Sequence, residues 1–173
     1  MRDTIRQRGT VRMALVPLIF FGWAATAVAM TAVITVSVST LVPLLVLAAG
    51  FEAIFALHLN VERIGRYLQV YHEAEGGWEH VAMAFGQRYK GAGPDPLFVR
   101  LFVFAASLNF LPVTLVAEDV AEVVVLALAH LVFVYRIRTA RTTAAKQRAL
   151  DLERFTAIRN EPAPRPSSTS PAA

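Results

Sequence analysis

The chain has 173 residues, 55% of them hydrophobic, with a net charge of +4 and no cysteine. A disulfide framework and a thiolate metal site are therefore excluded, and so is an ordinary soluble domain, which is less apolar at this length. The apolar residues come in blocks, so the excess reads as membrane spans, and the expected fold is all-α because a helix satisfies its own backbone in lipid.

Residues 1–12 form a basic N-terminus carrying Arg2, Arg6, Arg8 and Arg12. The first span, about 13–35, has no charged residue. At 1.5 Å per residue it is long enough for a hydrocarbon core of about 30 Å. Pro17 falls in its expected first turns, where a missing N–H costs least. Gly22, Ala25, Thr26 and Ala29 supply small residues at a spacing that permits close helix approach. The basic start and Ala27-Val28-Ala29 also fit a signal peptide cut before Met30. The apolar run goes on to Val38, which favours an uncleaved span.

Ser37, Ser39 and Thr40 are candidate caps for the second span, about 41–59. Its helix is expected to continue into water, since Ile64, Tyr67, Leu68 and Tyr71 keep an apolar stripe at helical spacing. Gly76-Gly77 is the expected break. Residues 60–96 read as an amphipathic cytoplasmic connection. Within it, Trp78, Val81, Phe85 and Tyr89 share one face of a short helix suited to the headgroup region, and 91–96 is a loop. The third span is about 97–116, with Arg100 near its start. The fourth, about 120–135, follows the short acidic turn at Glu118 and Asp119. A basic helix, 136–160, continues it, and the Pro- and Ser-rich residues 161–173 are expected to be a disordered tail.

The charge map gives the expected threading. Of the 17 Lys and Arg, four precede span one, five lie in 60–100 and eight follow span four. None lies between spans one and two or between three and four. The positive-inside rule then places both termini in the cytoplasm and makes the chain a four-helix bundle of two hairpins. With only Lys90 and Lys146 as lysines and with abundant alanine, the composition suggests a bacterial source and an inner-membrane location. The expected partners are the lipid bilayer and, for the basic C-terminal helix, anionic headgroups. A homo-oligomer or a membrane-complex partner is also expected. Nucleic acid is not, because recognition motifs and stacking aromatics are lacking.

Three groups of residues carry candidate chemistry. Glu52 lies 11 residues past Leu41 and His130 about 11 past Asp119, the outer start of span four, and the two spans run in the same direction, so both are expected at similar depth and able to face each other. With Asn109, and Thr26 or Thr31 of span one, they suggest either a buried polar cluster or a proton relay. His58, Asn60, Glu62 and Arg63 cluster where span two leaves the membrane, with His58 and Glu62 on one face. Finally, His72, Glu73, Glu75, Glu79 and His80 lie within nine residues. His72, Glu79 and His80 are weak metal candidates, since the spacing is not HExxH. No cofactor is expected, and no phosphate loop, dinucleotide fingerprint or nucleophile motif occurs. A structural or interaction subunit is the leading expectation. A small oligomeric transporter or channel using Glu52 and His130 comes second, and a membrane enzyme or metal protein using the cytoplasmic His/Glu loop third.

Overall fold

The structure, a computed structural model, describes residues 2–33, 37–74, 76–89 and 95–161. The expected tail beyond 161, Glu75 and most of the 91–96 loop lie outside the described residues. The elements in order are α1 (Arg2–Val33), a 3-10 turn (Ser37–Thr40), α2 (Leu41–Tyr71), α3 (Trp78–Arg88), α4 (Val99–Phe110), the single turn α5 (Val113–Val116) and α6 (Val120–Asn160). Every regular element among the described residues is helical, and four helical stretches are long and apolar enough to cross a membrane.

Local chemistry sets the helix ends. Asp119 caps α6 by accepting the Glu122 N–H at 2.8 Å, and the Glu122 carboxylate in turn accepts the Glu118 N–H. The first bond satisfies a donor that the first helical turn leaves orphaned, and the second ties the residue before the cap to the same turn. At α4 the acceptor is Asp95, which takes the N–H groups of Leu97 and Val99. That cap holds Phe98 in the left-handed region at φ 51°, a conformation costing a non-glycine residue about 1–2 kcal/mol. Helix α2 stops at Tyr71, and the chain turns through Gly76, whose φ of +95° suits glycine. Thr40 makes no side-chain cap. Its hydroxyl donates to the Ser37 carbonyl, closing the 3-10 turn that leads into α2. Pro17 sits in the middle of α1 and not in its first turns, because the helix already begins at Arg2.

Contacts define which helices run together. Ile19 meets Gly50, and Gly22 meets Val46, so α1 and α2 are antiparallel. Asn109 meets His130, and Asp95 meets Arg141, so α4 and α6 are antiparallel as well. Helices α2 and α6 are parallel: Glu52 pairs with Arg136, Glu62 with Arg148, Arg63 with Asp151, and Tyr71 reaches Phe155. The offset along the two sequences changes by only a few residues over this whole length. The core between them holds Leu44, Leu47, Phe51, Ile54, Phe102, Phe133 and Ile137. Phe51 meets Phe102 and Phe133 edge-on, with ring centroids 5.3 and 6.2 Å apart. Such pairs contribute about 0.5–1.5 kcal/mol each beyond the area they cover. Helices α1 and α2 pack tightly at Gly50, where a Cβ would stand 2.4 Å from an Ile19 methyl. Gly22 has ordinary room, and Ala25 and Ala29 are exposed, so those small residues do not set the approach.

Candidate functional site

Two polar regions lie at different levels of the bundle. The first is near the end carrying the short turns, here the turn end, and centres on Asn109, which is buried. Trp23 Nε1–H donates to Asn109 Oδ1 at 3.1 Å, which identifies that atom as the oxygen because an indole only donates. Asn109 Nδ2 then donates to the Thr40 carbonyl at 2.9 Å and to His130 Nε2 at 3.1 Å. The Nδ1–H of His130 donates to the Leu126 carbonyl at 2.8 Å, completing a neutral tautomer. Five residues of four elements thus satisfy one another. Adding a proton at His130 Nε2 would set two donors face to face. Ser37, also buried, donates to the Glu122 carboxylate at 2.7 Å and fixes α2's entry to α6.

Beside this network a cavity of about 230 Å³ opens between α1, the 3-10 turn and α4. Trp23, Met30, Ser39, Pro43, Asn109 and Pro112 are among its walls.

The second region is ionic and lies at the opposite, basic end. The Arg136 guanidinium donates to Glu52 at 2.8 Å and lies over the Phe55 ring at 4.5 Å from its centroid. Both members of this pair remain partly exposed at the bundle's periphery. Beyond it come Arg148 with Glu62 at 2.6 Å and Arg63 with the buried Asp151 at 3.2 Å. Gln147 also donates to Asp151. Tyr67, Tyr71 and Phe155 close the far end of the α2–α6 pair with ring contacts. Arg141 pairs with Asp95 at 2.9 Å. Burial alone would raise the Asp95 carboxyl, but Arg141 and the N–H groups of Leu97 and Val99 hold it below the ordinary aspartate range.

Helix α3 is fastened to α2 in this region. Arg66, buried, donates to Glu79 at 2.9 Å and to Gln69, and also touches the Met83 sulfur. Gly65 makes room for the Glu79 carboxylate, which a Cβ there would meet at 2.8 Å. Glu73 accepts the Glu79 N–H and faces His80 at 3.7 Å. Burial pushes the Glu79 carboxyl above its ordinary value, and Arg66 draws it partly back.

The expected sites are therefore redistributed. His130 and Asn109 do come together, joined by Trp23 and Thr40 in place of Thr26, whose hydroxyl donates to the Gly22 carbonyl. Glu52 is not in that cluster. Its partner Arg136 stands six residues past His130 on α6, about 9 Å further along the helix. The reason is stagger: residues 37–40 form the 3-10 turn level with Glu122, so α2 starts deeper than α6. The exit cluster is spread around α2, with His58 buried, Asn60 exposed, and Glu62 and Arg63 each paired to α6. The His/Glu segment does not converge: His72 lies against Tyr67, Glu79 takes Arg66, and His80 faces Glu73. Among the described residues no three potential metal ligands gather. Trp23, Arg66, Asp95, Arg136 and Asp151 were not singled out from sequence. For Arg136 the signal was there, since Glu52 needs a counter-charge and Arg136 is the first cation after the fourth apolar run.

No protein-family model matches the chain, and comparisons with curated proteins and with solved structures also find no match. Among the described residues, fold and site define an all-helical protein with four helical stretches long and apolar enough to cross a membrane, carrying a neutral polar hub toward one end and an ionic region toward the other.

Proposed function

We propose that this chain is a small polytopic inner-membrane protein of bacterial type that acts as a structural or interaction subunit through its helix contacts. It is threaded as two hairpins, with both termini and the α2–α6 extension on the cytoplasmic side. Charge supports this threading. The pairings of Asp95 with Arg141 and Asn109 with His130 set Arg100 near the level of Arg136, and Arg138 follows within one turn. Arginine therefore begins at one common level on α4 and α6, as positive-inside threading requires. From Val120 to Tyr135 is about 24 Å and from Met13 to Met30 about 27 Å, near the hydrocarbon thickness. On this reading Glu52 stands at the cytoplasmic edge, where a charged pair is tolerated, and Arg100, Arg138 and Arg141 meet anionic headgroups.

The observation that carries the structural role is the Asn109 hub. Buried Asn109 and His130 are spent on each other and on Trp23, Thr40 and Leu126, joining α1, the 3-10 turn that leads into α2, α4 and α6. Buried polar groups used this way hold helices in a defined register. In reconstituted vesicles, wild type, Glu52→Gln and His130→Ala are expected to show the same background flux of protons and small solutes. Flux in wild type that His130→Ala abolishes would overturn the reading. A second reading, an oligomeric transporter or channel, is favoured by the cavity reaching Asn109. It would use Asn109 and His130 without Glu52.

A further inference from the structure

We propose that the cavity beside Asn109 is a binding site for a neutral, ring-sized lipophilic molecule carrying one hydroxyl donor, the chemistry of a phenol. Such a site adds to the structural role and does not depend on the direction of threading. The cavity follows from how α1 and α4 part. They run parallel and touch at two levels, Phe20 with Phe102 at 5.1 Å between ring centroids, and Trp23 with Asn109 through a hydrogen bond. Beyond that bond α1 offers the small Ala27 and then Met30, while α4 stops at Phe110 and the chain bends through Pro112 into α5. The gap between them is about 230 Å³, with Ser37 and Thr40 of the 3-10 turn along one wall. An apolar cavity of about 150 Å³ is enough for a benzene ring, so this one has room for a ring with a small substituent or two.

The polar groups of the wall select the chemistry of the ligand. Their donors are spent. Trp23 Nε1–H goes to Asn109 Oδ1, and Asn109 Nδ2 donates to the Thr40 carbonyl and to His130. The Thr40 hydroxyl donates to the Ser37 carbonyl and the Ser37 hydroxyl to Glu122, and Ser39 is engaged as well. Acceptor capacity remains. Asn109 Oδ1 takes one hydrogen bond and has a second lone pair, and a hydroxyl oxygen that donates can still accept. A ligand that brings only acceptors therefore gains nothing from this wall, whereas one O–H finds a partner. Charge is disfavoured too. Among the described residues no ionisable side chain lines the cavity, and an ion without a counter-charge is costly to desolvate. Met30, Leu108 and Pro112 supply apolar walls, and a thioether is a favourable neighbour for an aromatic ring.

Trp23 and Trp78 are the two tryptophans, so Trp78→Phe leaves Trp23, at the cavity wall, as the sole indole reporter. In this background, in detergent micelles, 4-bromophenol is expected to quench Trp23 fluorescence saturably, and unbrominated p-cresol to restore it. 4-Bromotoluene has nearly the same shape, with a methyl in place of the hydroxyl. It should bind about tenfold more weakly at equal concentration in the micelle phase, the effect of one lost hydrogen bond. Ala27→Phe fills the space and should abolish the saturable quenching while the helical circular dichroism is kept. Val116→Phe, from another wall, should do the same. Quenching that rises linearly with probe, without saturation or reversal, overturns the site. So does saturable quenching that survives in either folded filling variant, because the probe then sits elsewhere. If 4-bromotoluene saturates as tightly as 4-bromophenol, the phenol assignment is overturned and the space belongs to alkyl chains such as those of lipid.

Discussion

The turn end and the basic end of this bundle solve the same problem with opposite chemistry. At the turn end, Trp23, Thr40, Asn109, Leu126 and His130 form a hub of neutral hydrogen bonds, with carboxylates beyond it at Asp119 and Glu122. At the basic end, Glu52, Glu62, Arg63, Asp95, Asp151 and their partners use ions, most of them with one member partly exposed. The difference follows the cost of desolvation. A full charge taken out of water costs several kcal/mol even when paired, whereas a satisfied amide or imidazole costs far less.

The comparison breaks most sharply at Arg66, the buried cation of the ionic end. Arg66→Met leaves Glu79 without its partner and should cost about 3 kcal/mol, read as a lowered midpoint in detergent-denaturant unfolding, with α3 detaching first. The matching change at the neutral end is Asn109→Leu. It orphans the Trp23 N–H and His130 Nε2 together and should cost about 2 kcal/mol, with a change in Trp23 fluorescence as its signature. Asp95→Ala should cost about 1 kcal/mol through loss of the α4 cap. Because the folded Asp95 carboxyl sits below its ordinary value, its contribution is complete above about pH 4 and is lost as pH falls through the lowered value. Wild type and Asp95→Ala should therefore converge in acid. The smallest effect belongs to Glu52→Gln, whose ion pair is half open to solvent or lipid. Under about 1 kcal/mol is expected, and a larger loss would mean that the Glu52 side is covered in the assembled protein.

Much of this architecture was legible in the residue order. Four apolar runs and their arginine borders mark the four helices, because lipid admits few alternatives to a helix. Asn109 and His130 stood out in the sequence because each is polar inside an apolar run, although the partner expected for His130 was Glu52. Glu52 was misplaced because counting from span starts assumes that the starts are level, and the 3-10 turn at 37–40 sets α2 deeper than α6. The tight crossing at Gly50 was missed in favour of Gly22, since sequence shows which residues are small but not which face a neighbour. Arg66 was unreadable for a similar reason: its burial depends on α3 folding back over it, and that fold hangs on Gly65 and Glu79.

Helices α2 and α6 keep nearly the same pairing offset from Glu52–Arg136 to Tyr71–Phe155. Their partnership behaves like a zip fastener with one permitted alignment. One extra residue inserted after Ile137 would swing everything beyond it by about 100°, parting Arg148, Asp151 and Phe155 from their mates at a stroke while His130 and Asn109 kept theirs.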